Sequence, residues 1–314
     1  MNPNFPLDPW IELRVWRQFL ILAEELHFGR AAQRLHMTQP PLTQAIAGLE
    51  RSLACRLFER SKRRVELTAA GAALLPAVRE LLTAAQALPA RAQAAAAGEA
   101  GRLRLAFVST VGFELLPRWI RAFRVAWPQV ALELIEATGD VQLPLLGSGG
   151  TDASFMLHAP GFAPSGLSRL RVAVEPLVLA LPESHPLASA KSLPIKQVLA
   201  EPIVCFPRRI LPSVHDALFA LYHAAGTTPR IEQEAIQMQT IVNLVAAGLG
   251  VAWVPESVRE FQRRGVCYRR VGGATACGRL SVPVCETSLV WRDPASSPTL
   301  ARFIEFAKAQ SSPC

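Results

Sequence analysis

The chain has 314 residues, of which 50% are hydrophobic and 18% charged, so it can form two or three domains and is far from the composition of a disordered protein. Its 33 Lys and Arg against 25 Asp and Glu give a net charge of +8, which is compatible with an anionic partner without naming one. The best apolar stretch, residues 241–255, contains Asn243 and two glycines, so a membrane span is not expected.

The amino terminus and the cysteines indicate a cytoplasmic protein. Met1–Trp10 contains Asp8 and lacks the basic and apolar segments of a secretory signal, so we expect no cleaved signal. The six cysteines include no Cys-x-x-Cys pair and are sparse for a chain of this length. Reduced thiols are therefore predicted.

Residues 28–53 carry the pattern of two short helices joined by a tight turn. Apolar side chains recur at helical spacing, at Phe28, Ala31, Ala32 and Leu35 and then at Leu42, Ile46, Leu49 and Leu53. The paired alanines let the two helices approach closely, as a helix-turn-helix requires. Thr38 is placed to cap the second helix, and Pro40 and Pro41 stand in its first turn, where a missing N–H costs nothing.

Polar side chains face outward from the first turn of that second helix. They are Gln39, Thr43 and Gln44, whose side-chain types can hydrogen-bond base edges in a major groove. Behind them, the 14 residues 51–64 hold six basic residues and one acid. Such a run taken alone is usually a solvated surface, but joined to a helix-turn-helix it predicts phosphate contacts. Residues 61–64, flanked by apolar residues, are typical of a short β-hairpin, the wing of a winged helix.

Residues 69–97 form one helical run rich in Ala and Leu. Thr68 is placed to cap its start, and Pro76 predicts a kink or a local adjustment. We interpret the spacing of its apolar residues as an a/d seam that packs along a partner helix. The alternative is an amphipathic helix folded onto its own domain. The seam residues step by 4, 3, 4 and 3 and are Leu74, Val78, Leu81, Ala85 and Leu88.

From Gly101 onward, short apolar strands alternate with helical patterns. Strand patterns occur at 102–107, 130–134, 153–157, 177–181, 203–206 and 251–254. Repeated strand, helix, strand units predict parallel sheets with helices on both faces, and the length suggests two lobes.

Several motifs match one known family. They are Ala31-Ala32-x-x-Leu35, Thr38-Gln39-Pro40-Pro41-Leu42-Thr43, Leu57-Phe58-x-Arg60 and Val65-x-Leu67-Thr68, followed by Gly101-Arg102-Leu103-Arg104-Leu105, His185-Pro186-Leu187 and Ala246-Ala247-Gly248-Leu249-Gly250-Val251. On these motifs the chain resembles LysR-type transcriptional regulators over nearly its whole length. It departs from the family where Thr43 replaces the commoner Ser, where Ala54-Cys55 stands in place of a usual Gly, and in about ten extra residues before Glu12.

The resemblance implies an α+β multidomain fold. A winged helix-turn-helix would span 12–68, a linker and dimerisation helix 69–97, and an α/β two-lobed effector-binding domain like the periplasmic binding proteins 101–314. Lobe I would take 101–174 and 275–314 and lobe II 175–274, with a hinge near Glu175 and Gly272-Gly273. It further implies a homotetramer on a promoter palindrome, a small-molecule effector, no catalysis, no cofactor and no metal. RNA polymerase is a further candidate partner.

The residues expected to contact double-stranded DNA combine base reading with phosphate binding. Pro40 would pack on a base edge or a thymine methyl, the wing would bind backbone and minor groove, and Arg30 and Arg51 are secondary phosphate candidates. The full set is Arg30, Thr38, Gln39, Pro40, Thr43, Gln44, Arg51, Lys62, Arg63 and Arg64.

Ligands in a two-lobed fold bind between the lobes, near strand ends. Ser109 and Thr110 follow the first strand of the effector domain and Thr138 follows the second. Their hydroxyls and the neighbouring helix N–H groups would suit a carboxylate, although each residue taken alone could be a simple helix cap. The opposite wall is expected from Phe206, Pro207, Arg208 and Trp253. We expect a small organic carboxylate, and an aromatic one as the narrower expectation.

Two other classes of protein fit the sequence less well than a regulator. An enzyme would need a catalytic motif, and the chain has neither a G-x-S-x-G elbow nor a phosphate-binding glycine loop. His215 and His223 are more simply core or surface residues than a metal pair. A stand-alone solute-binding protein would need export, and we expect no signal.

Overall fold

The computed structural model describes residues 11–60, 64–271, 280–292 and 297–311. The chain divides into two units, residues 1–93 and 94–314, and each is described by itself. Among the described residues, no helix is both long and apolar enough to cross a membrane. In the same part of the chain Cys55, Cys205, Cys267 and Cys285 are free thiols.

The first unit opens with three helices, α1 (Leu13–Glu25), α2 (Phe28–Arg34) and α3 (Gln39–Ser52). Their apolar faces meet in one core, where Phe19, Leu42 and Ile46 are fully buried. Ala31 is also fully buried, so the small side chain lies where the helices approach each other, as the alanine pair predicts.

A two-stranded antiparallel wing follows, made of β1 (Phe58–Arg60) and β2 (Val65–Leu67). Glu50 of α3 holds it in place, because its carboxylate accepts hydrogen bonds from the backbone N–H groups of Leu57 and Phe58 at 2.9 and 3.1 Å. The guanidinium of Arg60 donates to the other carboxylate oxygen at 2.9 Å and lies over the Phe28 ring. Thus one acid ties the wing to the second helix of the helix-turn-helix.

The chain reaches the wing through a left-handed residue after α3. Ala54 has φ +51°, and the N–H of Cys55 bonds to the carbonyl of Glu50 at 3.2 Å, the closing bond of a Schellman motif. Glycine is preferred at this position because it lacks a Cβ. The departure from the family at Ala54-Cys55 therefore leaves the turn intact.

The long helix α4 spans Ala69–Ala96 and runs through Pro76 and Pro89. Thr68 caps it as predicted, accepting a bond from the N–H of Gly71 at 3.0 Å. The predicted a/d seam divides in two. Val78 is buried in the core of the first unit and Leu74 packs against it, as the alternative interpretation expects. Leu81 and Leu88 are 44% and 58% exposed and remain available to a partner helix.

The second unit alternates strands and helices, with short 3-10 segments between some of them. Its elements are β3 (Ala100–Phe107), α5 (Leu115–Ala126), β4 (Gln129–Glu136), α6 (Gly139–Gly147), β5 (Ala153–His158), β6 (Ser168–Pro182), α7 (Ile195–Val198), β7 (Ile203–Cys205), α8 (Pro212–Ala224), β8 (Ile231–Glu234), α9 (Met238–Ala246), β9 (Ala252–Pro255), β10 (Val266–Arg269), β11 (Val284–Trp291) and α10 (Pro298–Ser311). Short 3-10 turns lie at Ser109–Gly112, Arg208–Ile210 and Glu256–Phe261.

The long strand β6 joins two lobes, each with its own core. Up to Pro176 it pairs with β11, and from Leu177 it pairs with β9 and β10. Lobe I, with β3, β4, β5, β11, α5, α6 and α10, packs around Trp119, Phe123 and Phe303. Lobe II, with β7, β8, β9, β10 and α7 to α9, packs around Tyr222 and Val242. The chain therefore changes lobe at Pro176–Leu177, beside the Glu175 hinge expected from sequence; Gly272-Gly273 lie outside the described residues.

The two-lobed α/β class is confirmed, but the expectation of parallel sheets is confirmed only for some of the strand pairs. β3 pairs in parallel with β4 and β5, and β7 with β8, whereas β11 and β6 are antiparallel to their neighbours. The reason is the return of the chain between lobes, since a strand that crosses from lobe I to lobe II and one that crosses back necessarily run in opposite directions.

Candidate nucleic-acid interface and ligand cleft

The second helix of the helix-turn-helix, α3, begins at an unusual cap. Thr38 is its N-cap residue, but its side chain makes no capping hydrogen bond, contrary to expectation. An N-cap hydroxyl bonds the N–H of the second or third helical residue, and these are Pro40 and Pro41, which have none. The exposed Thr38 hydroxyl is thereby left without that intrahelical role.

The first turn of α3 presents its polar side chains outward. Gln39, Pro40 and Gln44 are exposed, whereas Thr43 is half-buried. The Thr43 hydroxyl donates to the Gln39 carbonyl at 3.1 Å, so only its lone pairs are free to accept a bond from outside. The two glutamines, which can both donate and accept, are the better placed groups for reading a base edge.

The basic residues of the helix-turn-helix and its flank differ in whether they are already paired. Arg30, at the start of α2, donates to Glu25, and Arg64 is paired with Glu66 at 2.6 Å. Arg51 and Arg56 are exposed at the end of α3 and before the wing. Lys62 and Arg63, expected at the tip of the wing, lie outside the described residues. The surface is therefore basic on the side of α3 where the wing lies.

In the second unit, four of the expected ligand residues meet at one small cavity between the lobes. Ser109, Thr110 and Thr138 approach it from lobe I and Phe206 from lobe II, and the cavity has a volume of about 40 Å³. We call it the hydroxyl cavity. Ser109 and Thr110 are buried, at 8% and 4% exposure, and lie in the turn that directly follows β3.

Two helices from opposite lobes begin at the hydroxyl cavity. Thr138 is the N-cap residue of α6, and Gln237 is the N-cap residue of α9; both residues line the cavity, as do Gly139 and Met238 behind them. Unpaired N–H groups and the helix dipole make such starts favourable for an anion. Gln237 and Met238 were not expected from sequence, although the rule applied to Ser109 and Thr138, a polar residue between a strand and a helix, would have found Gln237.

The hydroxyls of the cavity are not equivalent. Thr138 Oγ1 donates to the carboxylate of Asp140 at 2.5 Å. Thr110 Oγ1 is buried and has no hydrogen-bond partner within the described residues. A buried hydroxyl without a partner costs roughly 1 to 3 kcal/mol, so a ligand that bonds to it would recover that free energy.

Three expected wall residues lie elsewhere. Arg208 is exposed and donates to both carboxylate oxygens of Asp216, from Nε at 2.7 Å and from Nη2 at 2.8 Å, and this contact lowers the pKa of Asp216. Trp253 is buried in lobe II, where its indole N–H donates to the Tyr222 hydroxyl at 3.2 Å. Burial raises the pKa of Tyr222 to about 12, so that pair stays neutral. Pro207 caps the following 3-10 turn and does not line the hydroxyl cavity.

These features define a class of protein. A winged helix-turn-helix with exposed glutamines and a basic flank binds DNA, and a two-lobed domain with a cleft binds a small molecule. In the described part of the chain, no three His, Cys, Asp or Glu side chains cluster as a metal site requires.

Comparisons with known proteins identify the family. Residues 13–72 match the family described as bacterial regulatory helix-turn-helix protein, lysR family, and residues 96–312 match the LysR substrate binding domain. The chain is 43% identical over 291 residues to the HTH-type transcriptional regulator IlvR of Caulobacter vibrioides, covering 92% of this chain and 95% of that protein. It is 36% identical to AlsR of Bacillus subtilis, covering 96% of each.

Among solved structures, full-length CbnR complexed with its target DNA is similar, with a TM-score of 0.75 and 30% identity, covering 96% of this chain and all of CbnR. The chain belongs to the LysR family of transcriptional regulators, as its motifs predict, and it is a DNA-binding regulator.

Proposed function

We propose that this regulator binds a promoter palindrome as a dimer of dimers and changes transcription when a small organic carboxylate binds between its lobes. The DNA-reading part of the proposal rests on the exposed first turn of α3, where Gln39 and Gln44 face outward beside Pro40. The basic flank and wing would bind phosphates on either side, including Arg51, Arg64 and, outside the described residues, Lys62 and Arg63. Promoter DNA as partner places its action in the cytoplasm.

The ligand part rests on one observation, the small cavity at which two helix N-termini from opposite lobes meet a buried hydroxyl without a partner. Aligned N–H groups and a hydroxyl donor are what a carboxylate needs. An anion held by both lobes would favour the arrangement in which the lobes are closest together. Closure of the lobes would in turn favour one arrangement of the DNA-binding heads. We also propose RNA polymerase as a partner of the regulator.

Assembly is proposed from α4. Leu81 and Leu88 are exposed apolar residues at heptad spacing on a 28-residue helix, the arrangement that pairs helices. The solved relatives are full-length regulators of the same family, and a dimer of dimers would place reading heads on two half-sites.

Base reading is tested by Gln39→Ala. Loss of a bidentate base contact should weaken binding to the cognate operator by about 1 to 3 kcal/mol and leave random DNA nearly unchanged. Gel-shift titration on both DNAs measures this. Gln33→Ala, an exposed glutamine of α2, is the matched control and should behave as wild type on both. Equal losses on both DNAs would remove base reading from Gln39.

Carboxylate binding is tested by calorimetry and thermal shift on the full chain with a panel of organic acids. We expect a ligand that stabilises the wild type and binds more weakly to Thr138→Val, which removes the N-cap hydroxyl but nearly keeps the shape. A ligand with undiminished affinity for that variant and for Thr110→Val would place the site outside the hydroxyl cavity.

A further inference from the structure

A second and far larger cavity adjoins the hydroxyl cavity. It has a volume of about 660 Å³, against about 40 Å³ for the hydroxyl cavity. Both are lined by Gly139, Leu157, Ile210 and Leu211, so they share a boundary made by both lobes. We call the larger one the apolar cavity.

The two cavities differ in the size of the chemical group that they can hold. A buried water needs about 10 to 15 Å³ of cavity space, so the hydroxyl cavity has room for about three waters, which is about the size of a carboxylate group. Sites for drug-sized ligands are roughly 300 to 1,000 Å³, the range in which the apolar cavity lies. Any carboxylate larger than the smallest must therefore extend out of the hydroxyl cavity.

Gly139 allows the two lobes to approach each other closely at this boundary. A Cβ on this residue would lie 3.3 Å from the carbonyl oxygen of Ile210 and 3.4 Å from Cε of Met156, closer than most such contacts. Gly139 belongs to lobe I and Ile210 to lobe II, and Met156 lines the apolar cavity. The absence of a side chain at the first residue of α6 thus permits the close approach of Ile210 and Met156 where the cavities meet.

Most of the polar side chains that line the apolar cavity already have partners, and the exception among the described residues is the exposed Arg209. Both ring nitrogens of His158 are engaged, by the carbonyl of Ala159 at 2.9 Å and by the hydroxyl of Ser288 at 3.0 Å. Ser213 Oγ accepts from the N–H of Ala159, and Asp216 is bonded to Arg208. Asp140 receives the Thr138 hydroxyl. Apart from the exposed Arg209, a guest there has few groups left to bond with, so the part of it that fills the cavity is apolar.

An aromatic side chain stands at this cavity without being packed away. Phe162 lines it and is 69% exposed. A tight turn presents it, with Pro160 and Gly161 in the middle, φ +84° at Gly161, and a bond from the Phe162 N–H to the Ala159 carbonyl at 3.0 Å. Proline followed by a glycine of positive φ forms a rigid type II turn. Phe162 is therefore held ready to cover a planar or aliphatic group.

We propose that the apolar cavity takes the hydrocarbon body of the ligand whose carboxylate occupies the hydroxyl cavity, and that Phe162 and Leu143 determine which bodies are accepted. The ligand class is an amphipathic monocarboxylate with an aryl or alkyl body. This inference rests on the proposed carboxylate site and adds the ligand's size and polarity to it.

The test uses the full chain and a series of probes with one head group: acetate, benzoate, phenylacetate, 3-phenylpropionate and 4-phenylbutyrate. Calorimetry should show affinity that increases along the phenyl series by about fourfold for each methylene that becomes buried. Leu143→Trp, which adds bulk at a 41% exposed lining residue, should abolish that increase and leave acetate binding at millimolar concentration unchanged.

Phe162→Ala should weaken the phenyl acids by about tenfold and acetate not at all, since only the aryl group would contact the ring. Val125→Ala, at an 80% exposed residue of α5 that lines neither cavity, is the matched control and should change nothing. Thr110→Val should weaken every member of the series, acetate included, because it removes the head-group contact.

The outcomes separate this inference from the proposed function. If acetate binds in a way that depends on Thr110, but affinity does not increase with the body or the increase survives both Leu143→Trp and Phe162→Ala, the body lies elsewhere and the carboxylate site stands. If no member of the series binds the wild type at millimolar concentration, the carboxylate site and the present inference fail together.

Discussion

The two units of this regulator place their functional groups in opposite environments. In the first unit, Gln39 and Gln44 are exposed side chains that lie within six residues of the turn before α3. The fold does not depend on them. In the second, Thr110, Thr138 and Gln237 come from three distant segments and converge on one small cavity between the lobes. Exposed groups can therefore change specificity at little cost in stability, whereas the buried ones trade stability for binding.

The largest effect is expected at the exposed half of the α4 seam. Leu81→Asp would place a charge without a partner in a helix pair, at a cost of at least about 3 kcal/mol to the dimer. Dimer formation and palindrome binding should be lost together, as measured by light scattering and gel shift. Thr83→Asp, an exposed neighbour on the same helix, is the control and should leave both unchanged.

The same seam shows how far sequence periodicity reaches. The 4, 3, 4, 3 spacing predicts an apolar face correctly, but it does not say which neighbour covers each part of that face. Val78 is only 3% exposed because it completes the core around Phe19, whereas Leu81, three residues on, is not covered by its own unit. Light scattering that reports an unchanged oligomer for Leu81→Asp would mean that the exposed part of the seam is not the contact either.

A second prediction tests the trade between stability and binding in the ligand unit. Thr110→Val replaces a buried hydroxyl that has no partner with a methyl group, so the ligand-free protein should gain about 1 kcal/mol in its free energy of unfolding. The same change should weaken carboxylate binding by about 1 to 3 kcal/mol. Thermal denaturation without ligand and calorimetry with it measure the two effects. A variant that is less stable without ligand would show that the hydroxyl has a partner in solution.

The predictability of each site from the sequence depends on how far apart along the chain its residues lie. The helix-turn-helix lies within 25 residues, so the spacing of Ala31, Ala32 and Leu42 was enough to predict its core. Even there, one local detail was wrong: the Thr38 cap fails because two prolines remove the donors that it would bond.

The ligand cleft depends on contacts that no short pattern encodes. Placing Ser109 and Thr138 after strands predicted which residues face the cleft from lobe I, because strand ends of one sheet share an edge. The opposite wall required knowing how lobe II folds against it. The sequence predicts Trp253 in this wall, but its indole is bonded to Tyr222 inside the lobe. Gln237 lines the cleft instead. The antiparallel pairing of β6 with β11, more than 100 residues later in the chain, was likewise beyond any local pattern.

The smallest expected effect is a gain in stability confined to the first unit. Ala54 adopts φ +51° at the end of α3, a conformation that costs an L-residue roughly 1 to 2 kcal/mol. Glycine avoids this strain, but it loses more backbone entropy on folding, which offsets part of the gain. Ala54→Gly should therefore stabilise the unit by roughly 0.5 to 1 kcal/mol. Ala47→Gly, in the regular part of the same helix, should destabilise it by a similar amount, because there glycine only loses entropy. Chemical denaturation followed by the fluorescence of Trp16, with the other five tryptophans replaced by Phe, measures the unfolding of the first unit in both variants. The ligand affinity of the second unit should not change in either variant. If both variants destabilise the unit, the Schellman turn at Ala54 carries no strain, and the departure from the family at that position has no energetic cost.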